Sequence, residues 1–95
     1  MHLLAESGGT KTQWYLYDAF GVRSSFRTSG LNPNVQSAAE IERQQRLDWG
    51  DGLPSGDGLV VDFYGAGLGA AGTEAAVRGI LERLFPGAEI RLMTD

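Results

Sequence analysis

The first third of the chain consists of short apolar or aromatic runs separated by turns, which is the pattern of β-strands. Leu3–Ala5 is apolar, Gln13–Tyr17 is rich in aromatic strand formers, and Val22–Thr28 is a more polar run that leaves one face for solvent. Short turns connect these runs, and short turns join strands of opposite direction. The pattern therefore predicts an antiparallel meander of three strands.

Helical spacing begins after the meander. Ser37–Glu40 matches a capping box, in which two side chains satisfy the first backbone N–H groups, and it predicts a helix that runs to about Leu47. The apolar face of this helix is thin and consists of Ala38, Ile41 and Leu47, so we expect it to pack at the margin of the domain. Asp48–Gly58 is rich in glycine and aspartate and predicts a flexible surface loop.

The last part of the chain alternates strand, helix and strand. Leu59–Tyr64 is the most strand-like run, Thr73 can cap a helix whose apolar stripe ends before Pro86, and Glu89–Met93 is the last predicted strand. Strands joined by a crossover helix run parallel. The predicted fold class is therefore α/β: three antiparallel strands, then helix, strand, helix and strand, with a mixed five-stranded sheet.

Composition restricts the class of protein without indicating its activity. With 95 residues and 42% hydrophobic residues, the chain predicts one domain, residues 1–95, with a modest core. It has no cysteine for a disulfide or a thiolate metal site, and its net charge of −4 without a basic cluster argues against nucleic-acid binding. It also lacks a signal-peptide pattern and any apolar run near the roughly 20 residues of a membrane span. We expect a cytoplasmic protein that does not bind a membrane.

A glycine turn between the first two predicted strands has the composition of a phosphate-binding loop. Gly8 and Gly9 allow backbone N–H groups to approach an anion, and the Thr10 hydroxyl and the Lys11 ammonium add donors. Glu6, at the end of the first strand, suits a hydrated Mg²⁺ whose other ligands are phosphate oxygens. An ordinary polar hairpin turn explains the same residues, so both interpretations stay open at this point.

The segment Ser29–Asn34 ends the meander and presents an amide in a loop. Pro33 restricts Asn32 to extended geometry, and the Asn32 side chain offers a carbonyl acceptor and an NH₂ donor, which suit a sugar hydroxyl. Asparagine before proline is also a common way to open a turn. A turn without a ligand is therefore the alternative.

A second glycine-rich segment, Gly65–Ala70, competes as the ligand site. It fits the dinucleotide pattern G-x-G-x-x-A after a strand, and Asp95 follows the next strand, where a ribose-binding acid would lie. Against this interpretation, Gly69 and Gly72 would weaken the first turns of the helix that the pattern requires. A dinucleotide-binding module remains an alternative function.

Five segments of the chain together carry a more specific pattern. They are Glu6–Thr12, Gly30–Pro33, Phe63–Gly67, Leu84–Pro86 and Met93–Asp95. In their order and spacing they resemble the N-terminal domain of the BadF/BadG/BcrA/BcrD ATPase family, and within that family the N-acetylglucosamine kinases. The resemblance covers nearly the whole chain. It implies a ribonuclease H-like domain of the actin and hexokinase superfamily, with ATP in a cleft between two such domains.

The resemblance implies ATP and Mg²⁺ as ligands of the first glycine turn. Carried over residue by residue, Gly8, Gly9 and Thr10 form the first phosphate loop, and Lys11 lies beside it. Many family members have aspartate at the position of Glu6, although the kinases also use glutamate. A metal role for Glu6 is therefore what the resemblance implies here.

The resemblance also implies residues for an amino sugar such as N-acetylglucosamine. Asn32 matches the sugar-binding asparagine of the family, which changes our preference from the turn to the ligand. Asp95 matches the aspartate that binds the sugar and acts as general base, taking the proton of the acceptor hydroxyl as it attacks the γ-phosphate. Without the resemblance, Thr94-Asp95 could equally cap a following helix.

The chain departs from the family in length. Family members continue beyond this aspartate with a helix, a second phosphate loop, the adenosine pocket and a C-terminal domain, whereas this sequence stops at Asp95. We therefore expect an N-terminal domain truncated before the second domain, inactive or weakly binding alone, with exposed apolar surface that favours a homodimer.

Two further functions stay open beside the kinase and the dinucleotide module. One is an ATPase of the same family that activates a dehydratase by electron transfer, and the other is a non-catalytic interaction domain. The Asn32-Pro33 loop favours the kinase, because an electron-transfer ATPase has no sugar to hold.

Overall fold

The fold was examined in a computed structural model, which describes residues 1–65, 67–69 and 72–93. In chain order the elements are β1 (His2–Ser7), β2 (Lys11–Asp18), β3 (Gly21–Ser29), α1 (Ala38–Trp49), a single 3₁₀ turn (Gly50–Gly52), β4 (Val60–Gly65), α2 (Thr73–Leu84) and β5 (Glu89–Met93). The strands form one five-stranded sheet in the order β3-β2-β1-β4-β5. This confirms the predicted succession of elements.

Strand β1 lies at the centre of the sheet and pairs with one neighbouring strand on each side. It is antiparallel to β2, with Glu6 opposite Gln13, and parallel to β4, with Ser7 opposite Gly65. Strand β5 is parallel to β4. The sheet is therefore mixed, as predicted, and β1, β4 and β5 finish at the same end, called here the carboxyl end of the sheet.

The hydrophobic core lies on one face of the sheet, beneath both helices. Alternate residues of the central strands, Leu3 and Ala5 in β1 and Val61 and Phe63 in β4, are at most 1% exposed. Helix α2 buries the stripe that its sequence predicts, at the spacing of a helix face. Those residues are Val77, Ile80, Leu81 and Leu84.

Helix α1 packs more deeply than its sequence predicts. Its N-cap is confirmed, since the Ser37 hydroxyl accepts a hydrogen bond from the Glu40 N–H (3.2 Å). The predicted face is wrong at Leu47, which is 64% exposed, whereas Gln45 and Trp49 are buried. The helix extends two residues beyond Leu47, and its last residue, Trp49, stacks on Phe26 with ring centroids 4.7 Å apart. An aromatic residue assigned to the loop therefore belongs to the core.

Helix α2 begins one residue earlier than the sequence predicts, since its cap lies before Thr73. Its N-cap is Gly72, which has a φ angle of 81° and provides no side-chain hydrogen bond, and Thr73 is the first helical residue. Thr73 is 3% exposed and donates its hydroxyl to the Asn34 side chain (3.4 Å) instead of to its own helix. This contact connects the start of α2 to the loop that follows β3.

Neither helix has the length and apolar character needed to cross a membrane, within the ranges that the structure describes.

Candidate functional site

The carboxyl end of the sheet brings together the segments that the sequence analysis selected. The β1–β2 turn, the segment after β3 and the loop after β4 all lie there, since β2 begins and β3 ends at the side where β1 and β4 finish. In α/β sheets, ligands bind beyond the carboxyl ends of the parallel strands. The arrangement identifies this end as the candidate site.

The β1–β2 turn presents free hydrogen-bond donors to solvent. The Gly8 N–H donates to the Lys11 carbonyl (2.9 Å) and closes the turn. Within the described residues, the N–H groups of Gly9 and Thr10 and the side chains of Thr10 and Lys11 have no hydrogen-bond partner, and all three residues are exposed. Two backbone N–H groups, a hydroxyl and an ammonium group are thus available to an anion at one place.

The two glycines of this turn leave open space around it. A Cβ atom added to Gly9 would meet no atom within 4 Å, and one added to Gly8 would reach only the Lys11 carbonyl oxygen, at 4.0 Å. Neither glycine has a positive φ angle. The packing of the protein does not require glycine at either position, whereas a ligand that approaches the backbone closely does.

A buried series of hydrogen bonds supports the turn from the core side. The Leu31 N–H donates to the Ser7 hydroxyl (3.0 Å), which lies 2.9 Å from the Thr12 hydroxyl. The Thr12 hydroxyl and the Gln45 amide both donate to the Ser29 carbonyl, at 3.0 and 2.6 Å. Buried networks of this kind stiffen the backbone they connect. The hydrogen bond to Ser29 explains how a polar side chain, Gln45, is accommodated in a buried position of α1.

The end of β3 lies directly against the glycine turn. The Gly30 N–H donates to the Thr10 carbonyl (3.1 Å). A Cβ atom added to Gly30 would lie 2.9 Å from the Gly9 carbonyl oxygen and 3.1 Å from that of Gly8, closer than side chains tolerate. Glycine at position 30 is therefore required by the close approach of two backbone segments.

Asp48, at the end of α1, completes this support. Its carboxylate accepts the Ser29 N–H and the Gln44 side-chain amide, each at 2.8 Å. Burial by itself raises the pKa of Asp48, but these hydrogen bonds to the charged form outweigh it and hold the pKa below its ordinary value. The N–H and the carbonyl of Ser29 are thus both bound by α1.

An open recess of ≈ 360 Å³ lies beside the turn, on the face of the sheet that points away from the helices. Its lining includes Glu6, which is exposed and has no ion-pair partner among the described residues. No group of three or more metal-ligating side chains occurs in the part of the chain that the structure describes. A single free carboxylate fits a hydrated Mg²⁺ whose remaining ligands are phosphates and water, rather than a metal held by protein alone.

The lining of this recess combines the predicted residues with two that were not predicted. It comprises Glu6, Gly8, Thr10, Lys11, Gln13 and Arg27.

Asn32 lies in the segment after β3, where it opens a turn through its side-chain oxygen and its carbonyl. Its side-chain oxygen accepts the Asn34 N–H (3.0 Å), and its carbonyl accepts the Val35 N–H (3.1 Å), so it does open a turn. Its NH₂ group has no partner within the described residues and Asn32 is half-buried. A donor therefore remains for a ligand.

The loop after β4 approaches the Asn32 segment, and the helix that follows it begins later than a dinucleotide fingerprint requires. Gly67 lies close to Asn34, since a Cβ atom added to Gly67 would be 3.3 Å from the Asn34 amide nitrogen. Helix α2 begins only at Thr73, beyond the Gly65–Ala70 motif, whereas a dinucleotide fingerprint opens its helix within the motif. Ala66 and Ala70 lie outside the described residues.

The proposed base, Asp95, also lies outside the described residues. Strand β5 runs parallel to β4 and reaches Met93 at the carboxyl end of the sheet. The role of Asp95 therefore stays a prediction from the sequence.

Sequence reasoning missed several residues of this region, among them Thr12, Gln13, Arg27, Asn34 and Gln45. Strand alternation places Arg27 on the same face of β3 as Ser25 and Ser29. The sequence therefore already indicated which residues of β3 share a face with Arg27. Thr12, Gln45 and Asn34 act through partners far away in the sequence, as the distance of 16 residues between Gln45 and Ser29 illustrates. No local pattern indicates such partners.

Comparison with known proteins supports the kinase interpretation at the level of structure. No family model and no curated protein matches the chain. A solved structure does: a Porphyromonas gingivalis protein provisionally assigned as an N-acetylglucosamine kinase matches with a TM-score of 0.79 and 29% identity. The match covers 100% of this chain and 34% of that protein, so the chain spans about a third of its neighbour's length. The fold is thus α/β of the actin-like ATPase type, and it is similar to part of a protein provisionally assigned as an N-acetylglucosamine kinase.

Proposed function

We propose that this chain forms the phosphate-loop side of an ATP-dependent amino-sugar kinase, which transfers the γ-phosphate of ATP to a hydroxyl of a sugar such as N-acetylglucosamine. The observation that carries the proposal is the β1–β2 turn, where the N–H groups of Gly9 and Thr10 have no partner among the described residues and lie beside Lys11 and the recess lined by Glu6. The match to a kinase-like neighbour over the full chain supports it.

The proposed chemistry relies on positioning and on charge. The N–H groups of Gly9 and Thr10, with Lys11, would hold the phosphate oxygens, and Glu6 would hold a hydrated Mg²⁺, which neutralises phosphate charge when bound. The acceptor hydroxyl oxygen forms a bond to the γ-phosphorus as the bond from that phosphorus to the bridging oxygen of ADP breaks. Asp95 would accept the hydroxyl proton.

The NH₂ group of Asn32 would contribute to binding the sugar, because it is the part of this side chain that the turn leaves unused. Since the matched region is 34% of the neighbour's length, the proposal leaves the adenosine pocket to protein outside these residues.

The proposal is tested with the full-length gene product in an assay that couples ADP formation to phosphorylation of N-acetylglucosamine, against glucose and against no sugar. We expect turnover that depends on N-acetylglucosamine and is lost in Asp95→Asn. We also expect Gly9→Ala to weaken ATP binding about tenfold with an unchanged melting temperature, because the added methyl group meets only a ligand.

Other outcomes would contradict the kinase. ATP hydrolysis that is independent of any sugar would favour an activator-type ATPase. Absence of ATP dependence together with tight NAD binding would favour the Gly65–Ala70 segment as the site, and Gly67 would then matter more than Gly9. Stable self-association without ATP binding would favour a non-catalytic interaction domain.

A further inference from the structure

A row of polar side chains crosses the sheet next to the glycine turn. Glu6 of β1 lies opposite Gln13 of β2, and Gln13 lies opposite Arg27 of the edge strand β3. Residues opposite each other in neighbouring strands share a face of the sheet. Here this is the face away from the helices, and all three side chains line the recess of ≈ 360 Å³.

Gln13 holds Arg27 without neutralising it. The Gln13 side-chain oxygen accepts the Arg27 Nε–H (3.2 Å), and its amide nitrogen donates to the Phe26 carbonyl (3.1 Å), so the glutamine itself is fixed at both atoms. Arg27 has no carboxylate partner within the described residues, and its two terminal amino groups are unbound there. Its charge and its hydrogen-bonding fork remain available.

Several other arginines of the protein differ from Arg27 in this respect. They pair with carboxylates: Arg23 with Asp18, Arg46 and Arg83 with Glu42, and Arg91 with Asp62.

Lys11 places a second cation, which has no ion-pair partner in the part of the chain that the structure describes, on the same side of the recess. It pairs with Ser29 across the β2–β3 ladder, two residues along β3 from Arg27, so the two cations are diagonal neighbours on one face. Such diagonal neighbours are about 7–8 Å apart, with their Cβ atoms somewhat closer, which is within the reach of long side chains toward a common ligand. An extended anion can therefore contact both residues and still reach the N–H groups of the turn.

We propose that Arg27 is a phosphate-binding residue of this recess. Its guanidinium binds oxygens of the nucleotide polyphosphate, and neighbouring oxygens of the same polyphosphate accept hydrogen bonds from the Gly9 and Thr10 N–H groups. The proposal rests on the proposed function and adds a residue to it. A guanidinium suits this task, because its planar fork binds two phosphate oxygens at once. Gln13 is then a positioning residue that directs the fork into the recess.

The test uses the full-length gene product and isothermal titration with inorganic tripolyphosphate and, separately, with MgATP. Arg27→Gln removes the charge, Arg27→Lys keeps the charge without the fork, and Arg43→Gln removes an equal charge from an exposed position on α1. We expect Arg27→Gln to weaken tripolyphosphate binding about tenfold, Arg27→Lys to weaken it less, and Arg43→Gln to leave it unchanged.

Two results would overturn the proposal, and they are distinguishable. If the unmodified protein binds both probes and Arg27→Gln binds them as tightly as Arg43→Gln does, Arg27 serves only as a charge that protects an edge strand, and the phosphate turn stands without it. If the unmodified protein binds neither probe, both the role of Arg27 and the proposed kinase function are wrong.

Discussion

The two ends of the sheet are built in different ways. At the carboxyl end, the β1–β2 turn rests on a buried network in which Ser7, Thr12 and Gln45 are at most 8% exposed. At the opposite end, the β2–β3 turn is held by Asp18, which accepts the Phe20 N–H (2.8 Å) and pairs with Arg23 (2.7 Å).

The difference lies in how far along the chain the partners come from. The contacts of Asp18 span at most five residues, and Phe20 is 87% exposed, so that turn is closed by its own sequence. The network at the carboxyl end joins residues up to 24 positions apart. A turn that must hold its N–H groups in a fixed orientation for a ligand needs such distant, buried support, whereas a connecting turn does not.

The largest effect is expected from Gly30→Ala, which pushes the end of β3 against the glycine turn. The added methyl group would lie 2.9 Å from the Gly9 carbonyl oxygen, so one of the two backbone segments has to move. We expect unfolding to become easier by about 1–3 kcal/mol and kcat/KM for ATP to fall about a hundredfold. Denaturant unfolding and the coupled assay measure the two quantities.

Gly52→Ala is the matched control for this variant. An added Cβ atom there meets nothing within 4 Å, and its φ angle is not positive. Equal activity of Gly30→Ala and Gly52→Ala would show that the contact between β3 and the turn is unimportant.

Thr12→Val is expected to have the next largest effect, since it keeps the shape of the side chain and removes the hydroxyl. The hydroxyls of Ser7 and Thr12 then lose their contact of 2.9 Å, and the Ser29 carbonyl loses the hydrogen bond that the Thr12 hydroxyl donates (3.0 Å). We expect a loss of about 1–3 kcal/mol in unfolding free energy and an increased KM for ATP.

The control for Thr12→Val is Phe20→Ser at the opposite end, which should change stability by less than about 0.5 kcal/mol. A similar loss of stability in both variants would remove the distinction between the two ends of the sheet.

The smallest effect is expected from pH, through Asp48. Its pKa in the folded protein lies below its ordinary value, so the carboxylate stabilises the fold above about pH 4, and this contribution is lost as the pH falls through the folded pKa. Thermal unfolding of the unmodified protein and of Asp48→Asn should therefore differ most at pH 6 and converge toward pH 3. A difference in melting temperature that is the same at both pH values would contradict this role.

Much of the candidate site could be read from the sequence, because its central part is local. The glycine turn, Lys11 and Glu6 are adjacent in the chain, and Glu6, Gly8, Thr10 and Lys11 line one recess of the structure. The position of Asn32 could also be predicted. The sequence could not show that its side-chain oxygen closes a turn while its NH₂ group has no partner among the described residues. The role of Asp95 remains a prediction.

The sequence by itself determined the order of the strands and helices, the N-cap at Ser37 and the apolar stripe of α2. These features follow from periodicity and capping, which depend on residues within a few positions of each other. The tertiary structure alone decided that Gln45 is buried while Leu47 is exposed, that Gly30 must be glycine and that Arg27 faces the same recess as Lys11. Each of these depends on which distant segment supplies the hydrogen-bond partner, the contact or the neighbouring charge, and local periodicity carries no information about that choice.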